Sequence, residues 1–262
     1  MQPDDGQHTQ PNMKKTTLLL TALASLTIAN YGLAFETAQN TAATAITSLP
    51  AVISAPGNYY LAPMAPNYTA SSAVNGWLIT IQGTRNVTLD LNNQALSNYA
   101  NYSPYGILIS GSTNVTVQNG TLGSYDGLEF CYPIYLQNAA YCTFRNITSF
   151  GQNSGVLDVS GNHNQFYNST FWATTNASVY LYNSGSDLFE NCTLTAKSTV
   201  WGAISIGNGC WGNVFQNVNI SFDTATPPYY GLYLKAADMV KGVAANAPVN
   251  VTFIYGTANV VD

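Results

Sequence analysis

Few residues of this 262-residue chain can move a proton or hold a metal ion, because only 7% are charged. Asp126 and Glu129 stand together in "SYDGLEF" and come nearest to a carboxylate pair. Two carboxyls facing each other across a few ångströms perform acid–base work on glycosidic bonds. The same pair can bind Ca²⁺ weakly, although hard Ca²⁺ prefers about 6–8 oxygen ligands. A solvated loop is the simpler reading of these two acids. Asp158 shares a register with Ile109, Leu136 and Leu181, which points it inward. A lone carboxylate there has a raised pKa or a hydrogen-bonding turn partner, so a structural role is favoured over a reactive one. Arg145 lies in an outward column with Asp90, Gln118, Tyr167, Glu190 and Gln216. Its two acids are two repeats away on either side, so the column reads as a solvated polar face. His163, in "GNHN", is far in sequence from Met64 and Met239. These do not form the exposed His, Met or Cys cluster that copper handling requires. No cofactor is expected beyond that weak Ca²⁺ possibility.

Aromatic residues offer a different chemistry. Tyr135, Tyr180 and Tyr182 alternate with Ile134, Leu136, Val179 and Leu181, which turns the tyrosines outward. Trp201, Trp211, Tyr229, Tyr230 and Tyr233 follow further along the chain. A tyrosine stripe suits stacking on sugar rings, because the ring face is apolar and the hydroxyl hydrogen-bonds. A covering loop or a second copy of the chain would also bury it. The net charge of −5 excludes a nucleic-acid partner, whose phosphates demand Lys and Arg. With 46% apolar residues the chain can bury a large core, and its surface must be uncharged and polar.

The elements that position these residues repeat. "NVTLDLNN", "NVTVQNGT", "YCTFRNIT", "NQFYNSTF", "DLFENCTL" and "NVFQNVNI" are versions of one phrase. Aligned on Leu89, Val117, Phe144, Phe166, Phe189 and Phe215, they recur at steps of 28, 27, 22, 23 and 26 residues. Such steps mark a solenoid, and alternating apolar and polar residues make each phrase a strand. A second short strand precedes it, as in "GILIS", "PIYLQ", "GVLDV" and "SVYLY". Two strands cannot bury their inner face alone, whereas stacked coils pairing in parallel at ~4.8 Å can. Asn119, Asn146, Asn168, Asn191 and Asn217 each fall two residues after the aligned position, with Leu91 in their place in the first coil. Asn tolerates the left-handed backbone of a sharp turn. Stacked asparagines can also bond from coil to coil as a structural ladder.

The phrase, the asparagine ladder and the coil length resemble the right-handed parallel β-helix of the pectate-lyase-like superfamily. "LPAVISAPGNYYLAP" resembles the N-terminal lead-in of bacterial secreted β-helix repeat proteins. The resemblance spans about residues 48–256 and implies an all-β solenoid of about 7–8 coils over residues 76–262, with a capping lead-in at 35–75. It leaves activity open, because this fold carries many functions. Polygalacturonase-like sites carry N-T-D, D-D, G-H-G and R-I-K, and none occurs after residue 34. Pectate-lyase-like catalysis needs acids on adjacent coils around Ca²⁺, with an Arg or Lys base, and the strands offer no acidic column. A non-catalytic carbohydrate-binding or structural surface role is therefore favoured. A polysaccharide lyase or glycoside hydrolase with an unfamiliar site is the alternative.

The first 34 residues read as an address. Lys14 and Lys15 precede an apolar run from Leu18 to Ile28, and Gly32 and Ala34 end it, the layout of a secretory signal cleaved near Ala34. Met13 is then the natural start of that signal. Export places the protein in the periplasm, at the cell surface or outside the cell, with no membrane span after cleavage. Polysaccharide, another envelope component or a second copy are the expected partners. Cys131, Cys142, Cys192 and Cys210 allow three pairings. They read as structural, bonded or free, and Cys142 shares a register with Val87 and Val115.

Overall fold

The computed structural model describes residues 42–63, 76–97, 105–124, 129–197 and 202–222. It also describes the strand backbone at 232–234, 247–249, 252–253 and 260–261. The proposed signal segment lies outside the described residues.

The chain is an all-β parallel solenoid of about six turns, with additional strands at both ends. Each turn has three faces. The first face is built by Trp77–Gln82, Tyr105–Ser110, Ile134–Gln137, Val156–Val159, Val179–Tyr182 and Ile204–Ile206. The second begins with Arg85–Asp90 and continues through Gln165–Tyr167, Leu188–Glu190 and Val214–Gln216. The third includes Thr170–Ala173, Thr193–Ala196 and Asn219–Phe222. Two longer strands, Thr113–Leu122 and Thr143–Gly151, run from the second face into the third. Among the described residues all pairing is parallel and between successive coils. The lead-in supplies Thr44–Ile46, Ala51–Ile53 and Gly57–Leu61, which extend these sheets and put Ile46, Ile53 and Leu61 over the end of the core.

In-register pairing turns the sequence phrase into vertical columns. Leu89, Val117, Phe144, Phe166, Phe189 and Phe215 form one inward column. Its phenylalanines stack ring on ring at 5.0, 4.3 and 4.9 Å, within 11° of parallel. Phe171 meets this stack edge-on from the third face, 5.7 Å from Phe166. Each buried ring contributes about 1.5–3 kcal/mol from leaving water, and each pair about 0.5–1.5 kcal/mol more.

Left-handed residues make the corners. Asn119, Asn146, Asn168, Asn191 and Asn217 have φ between +49° and +58° where the second face turns into the third. Asn146 Nδ2 donates to Asn119 Oδ1 at 3.0 Å, and Asn217 Nδ2 to Asn191 Oδ1 at 3.3 Å. Leu91 is buried in the first coil, and the row ends instead where Asn119 Nδ2 donates to Asp90 Oδ2 at 3.1 Å. The corner from first to second face turns at Asn86, Asn114, Tyr141, His163, Ser186 and Gly212, at φ from +53° to +63°. Asn tolerates this conformation, and glycine is free in it. For Tyr it is strained, by roughly 1–2 kcal/mol per residue.

Candidate functional site

Asp158 points into the solenoid and is fully buried, in a column otherwise made of Ile81, Ile109, Leu136, Leu181 and Ile206. It is not the lone carboxylate of the sequence reading. Asp187 of the next coil, 1% exposed, lies within range of its charge. Asp187 belongs to a second inward column, Val87, Val115, Cys142, Asn164, Asp187 and Asn213, which is apolar in its first coils and polar in its last. Along this column Cys142 N donates to Asn164 Oδ1 (3.0 Å), Asn164 N to Asp187 Oδ1 (2.8 Å) and Asp187 N to Asn213 Oδ1 (2.9 Å). Asn164 Nδ2 donates to Asp158 Oδ2 (2.9 Å) and to the carbonyl of Ala139 (3.2 Å). A side chain at Gly161 would meet the Asp158 carboxyl, with its Cβ 2.0 Å from Oδ1, so the missing Cβ makes room for the acid.

Burial pushes both carboxyls up. Asp158 rises further because the Asp187 charge adds to its desolvation. Asp187 is pushed up to about 7, held back by the amide N–H of Asn164. Asp158 Oδ1 and Asp187 Oδ2 have no well-formed hydrogen bond. The pair therefore keeps a proton near neutrality, inside a wall that no polymer can cross. The alignment that places Cys142 on Val87 and Val115 puts Asp187 in the same inward column, although a polar residue opening a strand phrase reads as a turn residue.

The other expected reactive residues do not meet this pair. Arg145 lies on the outer surface of the second face, where its Nε donates to Gln118 Oε1 at 2.7 Å. Gln118 Nε2 in turn donates to Asp90 Oδ2 at 2.7 Å. An amide thus links the guanidinium to an acid two coils away. Glu129 is half-buried, and Asp126 lies outside the described residues. No group of three or more His, Cys, Asp or Glu side chains gathers to hold a metal among the described residues. None of the four cysteines forms a disulfide. Desolvation pushes the thiols of Cys142 and Cys192 up to about 12, leaving them unreactive.

The tyrosines divide. Tyr135, Leu157, Tyr180, Ser205 and Tyr233 share one register on the first face. Leu157 is 8% exposed and interrupts the expected stripe. Tyr135 is half-buried against Trp77 at 5.6 Å and Tyr132 at 6.1 Å, and Trp77 stacks on Tyr105 at 4.5 Å. These rings spend their faces on one another. Tyr180 lines a small recess with Asn176, Ala177 and Ser205. Tyr182 is 40% exposed. Tyr233 is placed by its strand alone, and Trp201, Tyr229 and Tyr230 lie outside the described residues.

Three exposed rings gather around the corner that follows the first face. Tyr141 is 59% exposed and Trp211 40%, and Tyr182 ends the strand leading into the same corner. The other large exposed hydrophobic among the described residues is Val52, in the lead-in. Tyr141 stacks on His163 of the next coil at 5.0 Å, and His163 meets Trp211 at 6.4 Å. Both Tyr141 and His163 hold φ +56° at positions where the earlier coils place Asn86 and Asn114. The alignment could have shown these two rings in the asparagine positions. Trp211 escapes it, because it lies one register earlier.

The profile of the family described as "Right handed beta helix region" matches residues 77–242. No curated protein sequence matches the chain.

Proposed function

The chain belongs to the right-handed β-helix family, and from that premise we propose that it is an exported solenoid that binds carbohydrate without turning it over. Export is supported by the signal-like run from Lys14 to Ala34, and a place in the pectate-lyase-like superfamily by the asparagine row and coil length. The observation that carries the binding reading is the strained aromatic corner. Tyr141 and His163 occupy left-handed positions that Asn would fill at lower cost, and their rings are stacked, Tyr141 exposed and His163 half-buried. Strain kept at a surface position points to a use for the side chain that fold stability does not provide.

The surroundings suit a neutral glycan. Segments 138–141, 160–163, 183–186 and 208–212 contain no Asp, Glu, Lys or Arg. Asparagine and serine flank the rings, as where Asn183 Nδ2 donates to Ser160 Oγ at 3.1 Å. Aromatic faces beside uncharged hydrogen-bonding groups match a sugar's apolar ring face and its rim of hydroxyls. A lyase or hydrolase reading would need carboxylates that substrate can reach, and Asp158 and Asp187 face the core.

Affinity electrophoresis of the full chain through gels containing neutral or acidic polysaccharides tests the proposal. Retardation in at least one neutral gel, reduced by Tyr141→Ala and Tyr182→Ala but not by Arg145→Ala, is expected. Free migration in every gel, or release of reducing or unsaturated sugar ends, would refute it.

A further inference from the structure

Trp211 is seated in an unusual way. It bridges Gly185 of the preceding coil, with Ser186 N donating to the Trp211 carbonyl at 2.8 Å and Trp211 N to the Ser184 carbonyl at 3.2 Å. A Cβ added to Gly185 would fall 2.4 Å from both Cε2 and Nε1 of the indole and 2.8 Å from Cδ2. Near-equal distances to three adjacent ring atoms mean that the indole lies face-on over Gly185. An edge-on approach would leave Cδ2 far behind the other two. One indole face therefore rests on the backbone, and the ring is 40% exposed. The His163 ring stands at 82° to it, backed by Tyr141 at 19° to His163. The indole makes a floor, and the His163–Tyr141 stack makes a wall.

We infer that this L-shaped corner is a single pyranose subsite, with one sugar ring lying on Trp211 and its rim against the His163 ring. This rests on the carbohydrate-binding reading and deepens it, because it fixes which ring bears the sugar and which glycine allows it. The floor supplies an apolar face about the size of a pyranose, and the His163 ring, standing at right angles to it, closes one side. The uncharged corner segments leave an anionic sugar no ionic partner and favour a neutral one. Gly185 is a positioning residue. It touches no ligand, but any side chain there lifts the indole from its seat.

The test uses the full chain with neutral hexasaccharides of glucose, mannose and N-acetylglucosamine, read by tryptophan fluorescence and by competition in the affinity gel. Trp211→Ala is expected to weaken binding of the preferred oligosaccharide roughly three- to tenfold and to abolish its fluorescence change. Gly185→Ala is expected to weaken it comparably, while Trp172→Phe, which alters a buried tryptophan on the third face, leaves binding unchanged. Trp211→Ala leaves the Gly185 backbone untouched, so it decides the matter should Gly185→Ala fail to fold. Sugar binding that survives Trp211→Ala at full strength overturns the subsite and leaves the wider reading standing. Binding to no saccharide by the parent chain overturns both. A parent dimer that Trp211→Ala dissociates, with no saccharide bound, identifies the corner as a contact between copies.

Discussion

The corner between the first and second faces is built in two ways along one solenoid. In the first coils its inner position is apolar, Val87 and Val115, and its outer position is amide, with Asn114 Nδ2 donating to Asn86 Oδ1 at 2.7 Å. In the later coils the inner position is polar, Asn164, Asp187 and Asn213, and the outer positions are His163, Ser186 and Gly212, with the Trp211 ring one register earlier. Cys142 and Tyr141 sit at the junction. Hydrogen bonding has moved inward in these coils, and the His163 and Trp211 rings stand outside them. Corner N–H groups must be satisfied in both halves. Thr84 N has the hydroxyl of Ser112 at 3.3 Å in the first, while Cys142, Asn164 and Asp187 find side-chain oxygens from the next coil in the second. Inner amides and carboxyls hold the later corners from within, so the outer positions are released from ladder bonding and are available to carry rings.

The comparison breaks most severely at Asn164. Asn164→Ala leaves Cys142 N and Asp158 Oδ2 without their side-chain partner inside the core, while the Ala139 carbonyl keeps only the Asn162 N–H. A loss of roughly 3–5 kcal/mol is expected, because breaking a buried polar network exposes the full desolvation cost of what remains. Val115→Ala, at the equivalent position of the apolar half, should cost about 1–3 kcal/mol through lost packing alone. Urea midpoints of the two variants measure the difference. Equal losses would mean that the later coils are held by packing like the earlier ones.

The acid pair sharpens the comparison through pH. Both carboxyls bind their proton more tightly in the folded protein than in the unfolded chain, where Asp titrates near ~3.9. Their contribution is fully present below that value and is lost as pH rises through about 7, the folded value of Asp187. Stability should therefore decline from pH 4 to pH 8, with Asp187 alone contributing on the order of 4 kcal/mol. Asp187→Asn, which would extend the amide column between Asn164 and Asn213, should make the decline shallower and leave the part due to buried Asp158. A parent profile already flat between pH 4 and pH 8 would show that the pair is hydrated or unshifted.

A smaller effect separates ladder asparagines from ordinary turn asparagines. Asn168→Ala removes a left-handed-tolerant residue from the corner row, and the backbone strain it adds should cost about 1–2 kcal/mol. Asn208→Ala, on an exposed turn outside that row, should lose little. Coincident denaturant midpoints would remove the distinction.

The sequence made the columns readable because parallel pairing keeps identical positions in vertical register. Leu89 to Phe215, the five asparagines and the inward direction of Asp158 all follow from one alignment. Asp187 was hidden by expectation, since a polar residue opening a strand phrase reads as a turn residue. Its burial becomes plain only when Asn164 and Asn213 fill the same column. The third face was obscured where Thr113–Leu122 and Thr143–Gly151 continue past the corner as single strands. The aromatic corner was harder to read. Tyr135 and Tyr180 alternate correctly for an outward stripe, but alternation does not reveal what lies over a face. Trp211 reaches His163 by lying across Gly185, with one extra residue, Gly209 at φ +77°, accommodated in its corner.

The finest cut through the comparison is His163→Asn, which gives a later coil the outer residue of an early one. His163 holds φ +56°, a conformation that Asn adopts more readily, so the substitution relieves strain. It also removes the half-buried imidazole stacked on Tyr141 at 5.0 Å, whose buried Nδ1 has no hydrogen-bond partner among the described residues. The inner bonds of Asn164 and Asp187 belong to neighbouring residues and are untouched. Relief of strain should outweigh the lost stacking, and the variant should gain about 0.5–1 kcal/mol while retention in the neutral polysaccharide gel falls. A gain in stability together with a loss of binding is the signature of a residue kept for a ligand at the expense of the fold. If the variant instead lost stability and kept its retention, the imidazole would be a structural wedge, and the two halves of the solenoid would differ in packing alone.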